Sequence, residues 1–435
     1  MKNSLKIISS LCLTGAILFS VACGSQSNSS NTTTSSTGTQ AATSTVAVEK
    51  PTTIRLLSWW PQSQMQESLD AFSKVNPNIT IDFQFGQTGD PYNNLAKTQF
   101  AAGEGPDVFV IGSNWKDFQK AGYTLDIAGK PFTSNFSDTA LKATNLDGKQ
   151  YGIPVDSWFS GIFINKDLAE QAGVKLPFNS LDDFVAACDA FKKIGVKPLG
   201  VAGGAKSQDV WRFAYCEIFS DLYNENTTFD SDINSGKTTF AEGWTPALKN
   251  WYTLVDKGIY TSDMLGMDVA QVDAEFTTGK VAMTYGGNWS VDGWKKANPK
   301  LNITMIPWAG VKPGSTSLMA GVGMSWSVNA ASKNIDSSIK WLEFMSTPEG
   351  LLPLQKKLNC GIFLKGVKYD LAPELNDALT TLADGKGFDP WAYWDNSTAV
   401  QNEGMLALQQ VLSGKMKIED VGAAMDKANK SATTK

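Results

Sequence analysis

Residues 53–111 read TIRLLSWWPQSQMQESLDAFSKVNPNITIDFQFGQTGDPYNNLAKTQFAAGEGPDVFVI, and their pattern decides the fold. The opening TIRLLSWW is a short apolar strand that ends in two tryptophans. Met65, Leu69 and Phe72 then fall at i, i+4 and i+7, the spacing of one helix face, and Asn76-Pro77 stops that helix. Ile79, Ile81, Phe83 and Phe85 alternate as a half-buried strand does. A helix over about Tyr92–Ala102 follows, with Leu95, Gln99 and Phe100 near one face. Gly103–Pro106 break it, and Val108–Ile111 form the next apolar strand. Strand, helix, strand, helix, strand predicts an α/β fold with a mainly parallel sheet.

The alternation recurs downstream. Ser180 and Asp183 have the spacing of a capping box, ahead of a helix with Leu181, Phe184, Val185, Cys188 and Phe191 on its apolar face. Val281–Tyr285, Asn302–Ile306 and Met324–Val328 read as strands. Ile339, Leu342 and Met345 mark a helix that Pro348 is expected to close. In open α/β sheets ligands gather at the carboxyl ends of strands. That rule selects Trp59, Trp60, Gly112 to Trp115, Asp156, Gly286 to Trp289, and Trp308.

Upstream of this region, Lys2 and Lys6 precede an uncharged run, IISSLCLTGAILFSVA, over Ile7–Ala22. A basic start, an apolar stretch of this length and a small residue at its end predict a secretory signal peptide over residues 1–22. Ala22-Cys23-Gly24 resembles the lipobox of bacterial lipoproteins, in which the thiol of Cys23 takes the lipid. Residues 25–50 are almost entirely Ser, Thr, Asn, Gln, Gly and Ala. Lacking large apolar side chains to offset the entropy of ordering, such a segment is expected to tether a domain to its anchor.

Composition removes several chemistries. From Pro51 onward about 380 residues remain, enough for two domains. A net charge of −5 argues against a nucleic-acid partner. The chain has no histidine, which excludes Ser-His-Asp and Cys-His nucleophiles and His-bound zinc. A glycosidase needs only two carboxylates and survives this test. Arg55 and Arg212 are the only arginines, so guanidinium forks for anions are scarce. Cys188, Cys216 and Cys360 remain beyond the lipobox; Cys188 reads as a buried thiol, and no cysteine spacing suggests a metal cluster. Asp230, Asp232 and Asn234 begin like a calcium loop, but Gly236 arrives one position late, so a polar turn is expected.

Fourteen tryptophans are numerous for this length, and several follow strands. A sugar ring presents an apolar C–H face edged by hydroxyls. An indole covers the face while carboxylates and amides bond the rim. Trp341, inside a helical pattern, reads as core instead.

Several ordered motifs resemble one family. They are AAGEGPDVF (Ala101–Phe109), AGY (Ala121–Tyr123), DGKQYGIPVD (Asp147–Asp156), INKDLAEQAGVKLP (Ile164–Pro177), GKVAMTYGGNW (Gly279–Trp289) and GVGMSWSVNAASKN (Gly321–Asn334), then STPEG. The chain resembles the extracellular solute-binding proteins of carbohydrate ABC importers, the maltose-binding-protein-like group of bacterial lipoproteins. The resemblance implies two α/β lobes joined by crossing hinge segments, with solute in the cleft between them. Lobe 1 would hold residues 51–156 and 320–362, and lobe 2 residues 157–315 and 366–430. Carried over by position, Trp60, Trp115, Trp211, Trp289 and Trp394 are expected to stack on sugar, and Asp156 and Asn114 to bond its hydroxyls. Gln87 and Gly321 are further candidates, whereas Asp107 is assigned to structure. The resemblance further implies a monomer on the outer face of the cytoplasmic membrane, partnered by importer permease subunits, with no cofactor, metal or catalysis. A polyamine or peptide binder and a surface glycosidase are the rival readings, and a surface receptor using the same fold is a third.

Overall fold

The computed structural model describes residues 50–433, apart from 205–208, 224–225 and 391–393. The expected signal peptide, the expected lipidation site Cys23 and nearly all of the expected tether therefore lie outside the described residues. The remainder is built on two sheets, each with its own hydrophobic core.

The first sheet forms as the 53–111 pattern predicts. Thr52–Ser58 pairs in parallel with Ile79–Phe85 on one side and with Val108–Ile111 on the other. The helix Gln62–Val75 buries Met65, Leu69 and Phe72, and the helix Asp90–Ala101 returns the chain to the third strand. Two later segments complete the sheet, the first of them in the opposite sense. Ser325–Val328 runs antiparallel to Val108–Ile111, and Ile153–Pro154 antiparallel to Ser325–Val328. Asp107 has the structural role expected of it: its carboxylate accepts the Arg55 amide at 2.8 Å and the Ser332 hydroxyl.

The second sheet departs from the expectation of mainly parallel pairing. Its long strand Ser157–Asn165 is antiparallel to Val281–Gly287, to Ile303–Ile306 and to Thr316–Val322. Lys197–Gly200 joins Val281–Gly287 in parallel, as Gly387–Phe388 joins Thr316–Val322. Antiparallel neighbours need no helical crossover, so their sense could not be read from strand and helix alternation. Both faces of this sheet are covered: Phe159 and Phe163 face one apolar cluster, Ile162 and Ile164 the other. Between the two phenylalanines Gly161 is obligatory, because an added Cβ would stand 2.6 Å from the Ile306 carbonyl oxygen.

The expected capping box is present, with the Ser180 hydroxyl accepting the Asp183 amide and the Asp183 carboxylate accepting the Ser180 amide. Pro348 behaves differently from its expected role as a terminator. The helix Ile335–Met345 ends before it, and Pro348 occupies the first turn of the next helix, Pro348–Leu358. A missing amide hydrogen costs nothing in a first turn, so the residue that stops one helix can open another. Cys188, Cys216 and Cys360 are buried free thiols. No helix among the described residues is long and apolar enough to cross a membrane.

The chain passes between the sheets three times. It leaves the first between Pro154 and Ser157 and returns between Val322 and Ser325. The third passage follows Val367, still packed on the first core, and reaches the second lobe by Leu371. Backbone bonds tie the crossings together: Val155 donates to Met324 and Gly323 to Asp156, at 2.8 and 2.7 Å, and Ser157 donates to Gly361 at 2.8 Å.

Candidate functional site

The carboxyl ends of the first sheet's parallel strands converge on one edge. Val108–Ile111 is followed by Gly112 and Asn114, whose amide donates to the Asn93 Oδ1 at 2.9 Å. Tyr92 anchors this edge, since its hydroxyl accepts the Val110 amide at 2.7 Å. The Tyr92 ring fills the space beside Gly86, where an added Cβ would stand 2.6 Å from it. Trp59, partly exposed, meets Tyr92 edge-on with centroids 5.3 Å apart. Trp60 turns the other way. Ser58 Oγ accepts its amide at 3.0 Å and donates to its carbonyl at 2.7 Å, directing the ring onto Trp326. Gln87 is exposed, with a left-handed φ of 63°.

Asp156 lies on the first crossing. Its Oδ1 accepts the Met324 amide at 2.8 Å, across to the second crossing. The carboxylate stands over Gly323, where a Cβ would come within 2.6 Å of Oδ1. Burial pushes its pKa up to about 6, against the lowering effect of that hydrogen bond. Asp156 is therefore a link between crossings, in addition to any bond that it makes to solute.

At the matching edge of the second sheet, Val281–Gly287 runs into a short turn over Asn288–Ser290. Asn288 is buried; its Oδ1 accepts the Phe159 amide at 2.9 Å and its Nδ2 donates to the Leu358 carbonyl at 3.3 Å. The Trp289 ring lies against Gly287, leaving no room for a side chain there. Trp158, opposite Gly321 in the strand pairing, is also partly exposed. Nearby, Arg212 pairs with Asp209 at 3.4 Å and stacks over the Tyr285 ring at 5.2 Å. Asp209 Oδ2 accepts the Ala202 amide at 3.2 Å, and burial raises its pKa to about 6 despite the arginine.

The five tryptophans expected to stack on sugar divide sharply. Trp289 is 48% exposed, whereas Trp60, Trp115, Trp211 and Trp394 are 5%, 7%, 1% and 4% exposed. Trp115 packs near Tyr151. Trp211 and Trp394 both lie on Trp244 inside the second core, and Trp394 Nε1 donates to Asp230 at 2.7 Å. Trp211 and Trp394, expected to stack on sugar, are therefore both core residues in this structure. Burying an indole removes roughly 150–250 Å² from water, worth about 4–6 kcal/mol at about 25 cal/mol/Å². A strand-end tryptophan that can reach a core does so. Trp308, also at a strand end, is buried against Phe184 and Phe213. Asp230 is engaged by Tyr223 as well, at 2.8 Å, and no group of potential metal ligands occurs among the described residues.

The strand-end rule selected Trp59, which the residues carried over from the family resemblance leave out, and sequence reasoning passed over Trp158 altogether. Trp158 sits at the amino end of its strand, and only antiparallel pairing carries it to this edge.

Two sheet-centred lobes, three crossings and paired edges bearing exposed indole and acidic groups define a class of two-lobe solute binders. The chain belongs to the bacterial extracellular solute-binding protein family, whose profile matches residues 58–351. It is 24% identical over 327 residues to the multiple sugar-binding protein of Streptococcus mutans, covering 73% of this chain and 76% of that one. It is 25% identical over 331 residues to a maltooligosaccharide ABC transporter solute-binding lipoprotein of Streptococcus pneumoniae, covering 74% of each. In fold it is similar to a family 1 extracellular solute-binding protein of Bifidobacterium longum subsp. infantis, with a TM-score of 0.72 at 24% identity, covering 88% of this chain and 100% of that one.

Proposed function

We propose that this protein captures a sugar or oligosaccharide outside the cell and hands it to the permease subunits of an ABC importer. The observation that carries the reading is Trp289, an indole half exposed at the carboxyl end of a central strand and backed by Gly287. An aromatic face held in water suits the apolar face of a pyranose. Relatives named for sugar and maltooligosaccharide binding support the same solute class. Asn114 and Asp156 would bond hydroxyls, with Gln87 and Gly321 at the margin. Trp59 and Trp158 replace the buried indoles as further stacking surfaces. The lobes would comprise residues 51–156 with 320–362 and 157–315 with 366–430, the cleft lying between them. Cys23 would carry the lipid that holds a monomer at the outer face of the membrane.

The test is calorimetry with maltotriose, raffinose and xylotriose, on the wild type and on Trp289→Ala. A lost stacking surface should weaken the bound sugar at least about tenfold. Equal affinity for the variant would remove Trp289 from the site. Hydrolysis of the oligosaccharide would sink the binding role, and a response to spermidine but to no sugar would transfer the site to polyamines. For the anchor, Cys23→Ser should release the protein from cells into the medium.

A further inference from the structure

After the helix Asn376–Ala383 the chain returns to the second sheet through one short strand, Gly387–Phe388, paired with Leu318 and Met319. Contacts on both sides fix the residue that follows. Phe388 is buried and lies face to face on Phe219, centroids 3.5 Å apart. The Pro390 carbonyl accepts the side-chain amide of buried Gln401 at 3.0 Å. Asp389, between these anchors, is partly exposed and stands over Gly321, where an added Cβ would lie 2.5 Å from its Oδ2. Two residues further along, Asp156 covers Gly323 in the same manner. An extended chain carries the substituents of residues two apart on one face. The second crossing is therefore flanked by two carboxylates, each occupying volume left open by a glycine. Gly321, Val322, Gly323 and Met324 are all partly exposed, so solvent reaches this floor.

We propose that Asp389 is a specificity-determining residue of the solute site, accepting hydroxyl hydrogen bonds from a bound sugar above Gly321. This rests on the sugar reading given above. An ionised carboxylate only accepts and can take two vicinal hydroxyls at once. Such charge-assisted bonds are roughly twice as strong as neutral ones. A backbone held through both buried neighbours loses little freedom when ligand arrives. Gly321 has a defined part: any side chain there displaces the carboxylate.

The experiment titrates maltotriose, raffinose and xylotriose into the wild type, Asp389→Asn, Gly321→Ala and the double variant, and records ligand-free melting for each. For the sugar that binds the wild type, Asp389→Asn should weaken affinity at least about tenfold, beyond anything that a change in ligand-free melting accounts for. Gly321→Ala should weaken it too, and the double variant should bind no worse than Asp389→Asn, because both changes remove one contact. Wild-type affinity in Asp389→Asn overturns the proposal, as does a double variant whose losses multiply. A lower ligand-free melting temperature with normal affinity would mark Asp389 as structural and overturn it equally. If none of the three sugars binds the wild type, the sugar reading fails first and takes this role with it.

Discussion

Glu217 is buried in the helix Asp209–Ile218, and neither carboxyl oxygen has a hydrogen-bond partner among the described residues. Burial and the nearby Asp221 push its pKa well above the usual carboxylate range. The folded chain thus holds a proton there that the unfolded chain releases once pH exceeds the ordinary value. Stability conferred by that proton is complete at acid pH and is lost as pH rises through the raised pKa. Glu217→Leu should stabilise the protein at pH 8 by about 1–3 kcal/mol, with a smaller gain at pH 4, measured by urea unfolding. Equal stability at both pH values would count against a buried, unpaired carboxyl. Asp156 obeys the same sign over a narrower window, between its ordinary 3.8 and about 6. Asp156→Asn keeps an acceptor for the Met324 amide, so the variant should lose less stability than the wild type as pH rises through that window. Glu217 gave no signal in the sequence, because an acid on a helix that also carries Asp209 and Arg212 looks like a surface position until all sides of the helix are covered.

Among the elements, those with strong local signals formed where expected. Met65, Leu69 and Phe72 defined a helix, and Val108–Ile111 a strand, because each satisfies its own period. The Ser180 cap is equally local. Ser180→Ala should cost about 1 kcal/mol, lowering the melting temperature by a few degrees at most. The turn between the helices Ile335–Met345 and Pro348–Leu358 is a longer-range matter. Gly350, in the first turn of the second helix, has no room for a side chain, since an added Cβ would stand 2.2 Å from the Phe344 carbonyl oxygen. The Ser68 hydroxyl also donates to the Gly350 carbonyl at 2.7 Å, so the backbone cannot simply retreat. Gly350→Ala should destabilise by about 2 kcal/mol, with a matching fall in the midpoint of denaturant unfolding. A neutral result would mean that the two helices slide apart without penalty.

For the whole molecule, the crossings decide what the lobes can do. Three narrow passages at 154–157, 322–325 and near 367–371 suit rotation of one lobe against the other, a hinge motion. Adding a sugar that binds should reduce the radius of gyration in small-angle scattering, and an unchanged value at saturation would remove closure from the mechanism. The sequence by itself determined the three parallel strands of the first sheet, the absence of histidine and the family motifs. These are properties of adjacent residues, of composition or of order along the chain. Tertiary structure alone decided which tryptophans meet water. Trp211 and Trp289 were both expected to stack on sugar, yet the first lies on Trp244 in a closed core while the second is half exposed beside Gly287. It also decided that Asp389 meets Gly321, far away in the chain, through a pairing of two short strands. Burial depends on what arrives from elsewhere in the chain, and no periodicity within a segment records that.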